Sequence, residues 1–138
     1  FTICIFAPLV EEVVMRGAVL RTLLNSMKNR WGAIAISALL FALIHMNPAQ
    51  MPYAFIAGLF LGWIYSRTGS VLPGIVYHWV NNTIVFVVVR MMPQFADSNL
   101  IEIFGGDHKR VGLAIIFSMF ILLPSIYQLA VRTKQDRA

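Results

Sequence analysis

Six side chains in this sequence combine a reactive type with a helical spacing: Glu11, Glu12, Arg16, His45, His78 and Asn82. Glu12 and Arg16 stand four residues apart. On a helix that spacing stacks them one turn apart on the same face, where they form an ion pair and Glu12 stays ionised. Glu11 points about 100° away around the same helix and has Met15, not a base, four positions later. An unpaired carboxylate in apolar surroundings suits a general base that takes a proton from water, so Glu11 is the preferred base. His78 and Asn82 are also four apart. An imidazole and an amide stacked one turn apart can both donate to one oxygen, as a developing tetrahedral oxyanion requires. Neighbouring Asn81 points elsewhere and reads as a packing contact. Each feature has a plainer reading when taken alone: an interfacial Glu–Arg pair with a second exposed Glu, a boundary histidine at His45, and structural hydrogen bonding at His78.

The surroundings of these residues favour the chemical reading. Of the 138 residues, 59% are hydrophobic and 12% charged, with a mean hydropathy of +0.74, more apolar than a soluble domain of this size conceals. Trp31–Met46, Pro52–Ser66, Val71–Val89 and Val111–Val131 contain no Asp, Glu, Lys or Arg. The last two are long enough to cross roughly 30 Å of hydrocarbon, and the first two need help from snorkelling flanks such as Arg30, Asn47 and Arg67. Ionisable groups within such spans cost a few kcal/mol each on insertion scales, so they call for partners or a function. The formal charge of +5 lies at the ends of apolar segments, which points to anionic lipid headgroups and away from nucleic acid. Cys4 is the lone cysteine, so no intrachain disulfide is possible, and it reads as packing.

The fold class this implies is all-α: a polytopic membrane helical bundle of about five helices, since no strand-like alternation is present. Helix one runs from Leu9 to about Met27 with Pro8 at its first turn. Helix two runs from about Trp31 to Asn47, where Pro48 disfavours further helix. Helix three carries Ala54, Gly58 and Gly62 on one face for close packing. Helix four begins near Val71 after the turn Thr68-Gly69-Ser70, with Pro73 in its first turn. Residues 1–92 thus form a membrane core, 93–110 a polar solvent loop with Asp97, Glu102, Asp107 and His108, and 111–138 a terminal span and basic tail. The start at Phe1, inside an apolar run, predicts that further helices precede it. With all five crossing, Arg21, Lys28, Arg30, Arg67, Arg132, Lys134 and Arg137 face Arg90, Lys109 and Arg110, so the first set is cytoplasmic. Full crossings place Glu11 and His45 far from His78 in depth, unless a recessed turn at Gly69–Gly74 starts helix four deep in the membrane.

Glu11-Glu12-Val13-Val14-Met15-Arg16, Phe41-Ala42-Leu43-Ile44-His45 and His78-Trp79-Val80-Asn81-Asn82 resemble, in order, the EExxxR, FxxxH and HxxxN motifs of the CAAX-processing and bacteriocin-processing (CPBP, or Abi) family of membrane peptidases. The resemblance covers slightly more than half the chain. It implies an intramembrane endopeptidase acting on membrane-associated, lipidated CAAX-like or leader-peptide substrates, multi-pass in the plasma membrane of a bacterium. It also implies that Glu11 and His45 activate the attacking water, that His78 and Asn82 stabilise the oxyanion, and that Arg16 supports Glu12 from outside the reacting atoms. Zinc is an option, with Glu11, His45 and His78 as ligands and water completing the set, although no HExxH platform exists. Three other readings stand beside it: a non-catalytic partner such as a bacteriocin-immunity or scaffolding protein, a proton relay through Glu11, His45 and His78, and a haem site on His45 and His78. The sequence leaves the oligomeric state open.

Overall fold

The apolar run at the N-terminus is helical well before Leu9. In the computed structural model, which describes residues 2–48, 50–93 and 100–135, α1 (Thr2–Glu12) passes without a break into a π-helical segment, π1 (Val13–Leu20), and then α2 (Arg21–Ser26). Pro8 therefore sits inside the helix rather than in its first turn. Proline removes one N–H and crowds the preceding turn, but helices in apolar surroundings tolerate it where neighbours satisfy the freed backbone. The π register begins directly after the two glutamates. At its far end the Arg21 N–H reaches back to the Arg16 carbonyl as well as that of Ala18, a widening found often at functional sites.

Met27 turns extended and ends this helix. The Asn29 side chain then accepts from the Gly32 N–H at 3.1 Å and caps α3 (Arg30–Ile44). α3 stops short of the expected Asn47 because Met46 takes a left-handed conformation, φ 50°, which a helix cannot continue through. α4 (Met51–Thr68) starts with proline in its first turn and closes on Gly69, φ 69°, a position where glycine carries no steric penalty. α5 (Leu72–Met91) follows. The polar stretch 93–110 is not a plain loop: it contains the single turn α6 (Leu100–Ile103), and α7 (His108–Gln135) begins before Val111. Asp97 and Arg137 lie outside the described residues. No strand occurs among the described residues.

Two compact units divide the chain, residues 1–83 and 84–138. In the first, α3 and α4 pack antiparallel through small residues. A Cβ on Gly58 would stand 3.0 Å from Ala38 Cα, and one on Gly62 would stand 3.1 Å from Ile34 Cγ2. Arg30 donates to the Ser66 carbonyl at the end of this seam. Ala54 joins Met15, Phe41 and Ala42 in one apolar cluster, and Leu20, Ala33 and Ile34 form a second, so π1 closes on the α3–α4 pair. The expected small-residue face on α4 is this seam.

α5 runs antiparallel to the first helix. The Gly17 Cα faces Val71 Cγ1, Gly74 faces Glu12, and Trp79 Nε1 donates to the Ile5 carbonyl at 2.6 Å. Gly17 lies nine residues before Ser26, or about 13 Å at 1.5 Å per residue. The turn before α5 is therefore level with the middle of the first helix. In the second unit the apolar chain is largely uncovered: Phe117, Phe120, Ile121 and Tyr127 are exposed, and none of α7's apolar window is buried. Two helices, α5 and the stretch His108–Thr133 of α7, are long and apolar enough to cross a membrane, while α3 is apolar but shorter.

Candidate active site

Glu12 and Arg16 stay one turn apart across the entry to the π segment, with Arg16 Nη1 3.2 Å from Glu12 Oε1. Both are fully buried. The Arg16 guanidinium has two further neighbours, the Gly58 carbonyl, to which Nη2 donates at 3.5 Å, and the Phe41 ring, whose centroid lies 4.4 Å from Cζ. A desolvated guanidinium over a ring face gains an attraction that water would screen. Ser37, also buried, donates to the Met15 carbonyl at 3.3 Å and so gives π1 a second polar tie to α3.

The other oxygen of Glu12 explains Gly74. Oε2 would lie 2.8 Å from any Cβ at that position, so the carboxylate rests directly on the backbone of α5. One turn later His78, 7% exposed, stands between the two glutamates: Nδ1 is 3.2 Å from Glu12 Oε1, and Nε2 is 3.7 Å from Glu11 Oε2. The first distance is a hydrogen bond and the second is not. Glu11 Oε2 is buried without a hydrogen bond, while the residue as a whole keeps 30% of its side chain exposed. Glu11, Glu12, Arg16 and His78, which the sequence separates by up to 67 positions, thus form one contiguous cluster.

His45 does not enter that cluster directly. It closes α3, folds back so that Nδ1 meets the Phe41 carbonyl at 2.8 Å, and sets its ring edge-on to Phe41. Phe41 in turn meets His78 edge-on, 5.8 Å between centroids, so one phenyl ring touches both imidazoles. No hydrogen bond or ion pair joins His45 to Glu11. Among the described residues no three of His, Cys, Asp and Glu come together as a metal site needs. The zinc set Glu11, His45 and His78 is accordingly not assembled, and no step below passes through a metal.

Asn82 is half-buried one turn beyond His78. Asn81 is more than a packing contact: its Oδ1 accepts from the Tyr53 hydroxyl at 2.5 Å, and its Nδ2 donates to Asn82 Oδ1 at 3.5 Å. Two residues escaped the sequence reading. Gly74 was detectable, since Gly74, His78 and Asn82 recur at spacings of four, and a small residue on the face of a buried histidine signals close approach. Tyr53 carried no such signal.

Residues 1–84 match the family described as Type II CAAX prenyl endopeptidase Rce1-like. The chain belongs to the Rce1-like family. That match ends at residue 84, one position past the first compact unit, which ends at Thr83, so the Rce1-like stretch covers the unit that assembles the cluster. It agrees with the family the three motifs resemble, and together with the two long apolar helices it makes the chain a membrane protein of a protease family. Comparisons with curated proteins and with solved structures gave no match.

Proposed function

We propose that this Rce1-like protein is an intramembrane endopeptidase that hydrolyses peptide bonds in membrane-associated substrates, lipidated CAAX-like or leader peptides. The observation that carries the reading is the buried cluster in which His78 stands between Glu11 and Glu12, with one oxygen of Glu11 left without a hydrogen bond. A structural ion pair needs Glu12 and Arg16 alone. It gives no reason to hold a second carboxylate oxygen 3.7 Å from an imidazole nitrogen.

In this reading Glu11 and His78 Nε2 flank the reacting centre, and each residue has one task. A water beside Glu11 Oε2 attacks the carbonyl carbon of the scissile bond, forming a C–O bond while Glu11 takes the water's proton. The carbonyl π electrons move onto oxygen, and that oxyanion accepts hydrogen bonds from His78 Nε2 and Asn82 Nδ2. The intermediate collapses, the C–N bond breaks, and the proton held by Glu11 passes to the leaving amine. Glu12 holds Nδ1 of His78, so Nε2 is the nitrogen aimed at the substrate, and Arg16 holds Glu12. For Nε2 to donate while Nδ1 stays on Glu12, the active form carries His78 doubly protonated. Glu11, Glu12, Arg16 and His78 then sum to zero charge, which suits a cluster buried in a low dielectric. His45, whose Nδ1 is held by the Phe41 carbonyl, assists in activating the water through Nε2, a role carried by the FxxxH resemblance. The protein is multi-pass with about five crossings, and the recessed turn before α5 sets His78 at the depth of Glu11. The proposed setting is a bacterial plasma membrane, with the more basic loops inside.

The test is cleavage of a farnesylated CAAX peptide by the protein in proteoliposomes. Glu11→Ala is expected to lower the rate by about 10²–10⁴-fold, and His45→Ala to lower it as well, with both variants melting near the wild type. Undiminished cleavage by both variants refutes the mechanism. No cleavage by the wild type, with melting that drops on both substitutions, favours a non-catalytic partner in which the same hydrogen bonds are structural.

A further inference from the structure

We infer that Phe41 is a positioning residue: the face of its ring holds the Arg16 guanidinium and, through Glu12, sets the place of His78. The inference rests on the endopeptidase reading above and concerns a ring to which that mechanism gives no task. Arg16 is 1% exposed, yet its Nε and Nη1 have no hydrogen bond among the described residues. Nη2 reaches the Gly58 carbonyl at 3.5 Å, longer than an ordinary bond. A guanidinium taken out of water this far needs compensation beyond one carboxylate. Phe41 supplies it: Arg16 Cζ lies 4.4 Å from the ring centroid, and the face of a phenyl ring carries the negative part of its quadrupole.

Packing alone does not call for a ring at this position. Phe41 is 2% exposed in an apolar cluster with Met15, Ala42 and Ala54, where a leucine also fills space but offers no negative face. The ring is besides the point where three segments meet, since it touches Arg16 of π1, His45 at the end of α3 and His78 of α5. Glu12 Oε1 is shared between two of them, 3.2 Å from Arg16 Nη1 and 3.2 Å from His78 Nδ1. A guanidinium that slips from the ring therefore moves the oxygen that holds His78, and a misplacement of ~1 Å at a reacting group can cost about 10²-fold in rate.

The experiment places phenylalanine analogues with one, two and three ring fluorines at position 41 by stop-codon suppression. Fluorine draws electrons from the ring face and leaves the ring's shape nearly intact. For each protein, kcat and KM for the farnesylated peptide are measured in proteoliposomes and melting temperature in nanodiscs. The expected kcat falls stepwise, to about tenfold below wild type with three fluorines, with KM unchanged, and melting temperature falls in the same order. Phe41→Leu, which keeps apolar bulk and drops the ring, should match the most fluorinated analogue in kcat. In the Glu12→Gln, Arg16→Met double variant the fluorines should leave melting unaltered, because no cation remains over the ring. A kcat that stays level across the series, a melting shift of equal size with and without Arg16, or a loss confined to KM overturns the inference while the endopeptidase reading stands. A wild type that cleaves no peptide overturns both.

Discussion

Residues 1–83 and 84–138 are both rich in apolar side chains, yet they use them in opposite ways. In the first unit Met15, Leu20, Ile34 and Phe41 are buried against one another, and in their midst sit Glu12, Arg16 and His78, each nearly inaccessible. In the second, the apolar residues of α7 are exposed, and among the described residues no ionisable group is buried there. Hydropathy alone does not separate the two. What does is whether the helices converge: small residues at Ala38, Gly58, Gly62 and Gly74 bring backbones close enough to enclose charge, whereas α7 offers a continuous apolar surface suited to lipid. An enclosed charge needs partners at fixed distances, and that demand ties four helical segments into one site.

The largest expected effect on this contrast comes from removing one member of the buried pair. Arg16→Met deletes the cation that Glu12 faces at 3.2 Å and leaves a fully buried carboxylate beside His78 alone. Breaking a buried pair in this way costs about 3–5 kcal/mol. Thermal unfolding in detergent or nanodiscs should register it as a clear drop in melting temperature. Replacing Glu12 and Arg16 together by Gln and Met should recover part of that loss, since no unpaired charge remains. A single variant that melts like the wild type means that water reaches the cluster and the contrast between the units is smaller than the burial implies.

A smaller and more local effect is expected at the glycines facing the first helix. Gly74→Ala puts a methyl group 2.8 Å from Glu12 Oε2, an oxygen at the end of a side chain that Arg16 and His78 hold in place. Displacing it disturbs His78, so peptide cleavage should fall by at least tenfold, with a stability loss of about 1–3 kcal/mol from overpacking. Gly17→Ala, whose new methyl group meets Val71 Cγ1 at an ordinary 3.7 Å, is the control and should be tolerated. Equal behaviour of the two variants means that the carboxylate moves freely and does not anchor His78.

How much of this was readable in the sequence depends on the distance between the partners along the chain. The Glu12–Arg16 pair follows from a spacing of four, and the Ala54, Gly58 and Gly62 seam follows from the same periodicity. The placement of His78 between both glutamates does not, because helical spacing fixes which face a residue occupies but not which helix that face meets. His45 shows the limit from the other side. Its motif suggests a partner of Glu11, but a histidine one turn after Phe41 can bond that residue's carbonyl, and here it does. Pro8 and the π segment were illegible for a different reason. An apolar run does not record its own register, and eight residues of π-helix and of α-helix differ by too little to leave a trace in hydropathy.

The smallest expected effect lies in the second unit. Phe120 on α7 is 73% exposed, in an apolar window of which no part is buried. Phe120→Ala should change stability in nanodiscs by no more than about 0.5 kcal/mol, the ordinary range for a substitution away from packed features. Peptide cleavage should be unaltered. The result matters because the apolar surface of α7 has two possible covers, lipid or protein, and they differ in what truncation removes. Lipid refills the space left by a phenyl ring at little cost, whereas a packed protein surface loses contacts and leaves a cavity worth several kcal/mol. A large loss on Phe120→Ala therefore reveals a helix or a second copy seated against α7 and makes the second unit an interface, while a null result assigns that face to the bilayer.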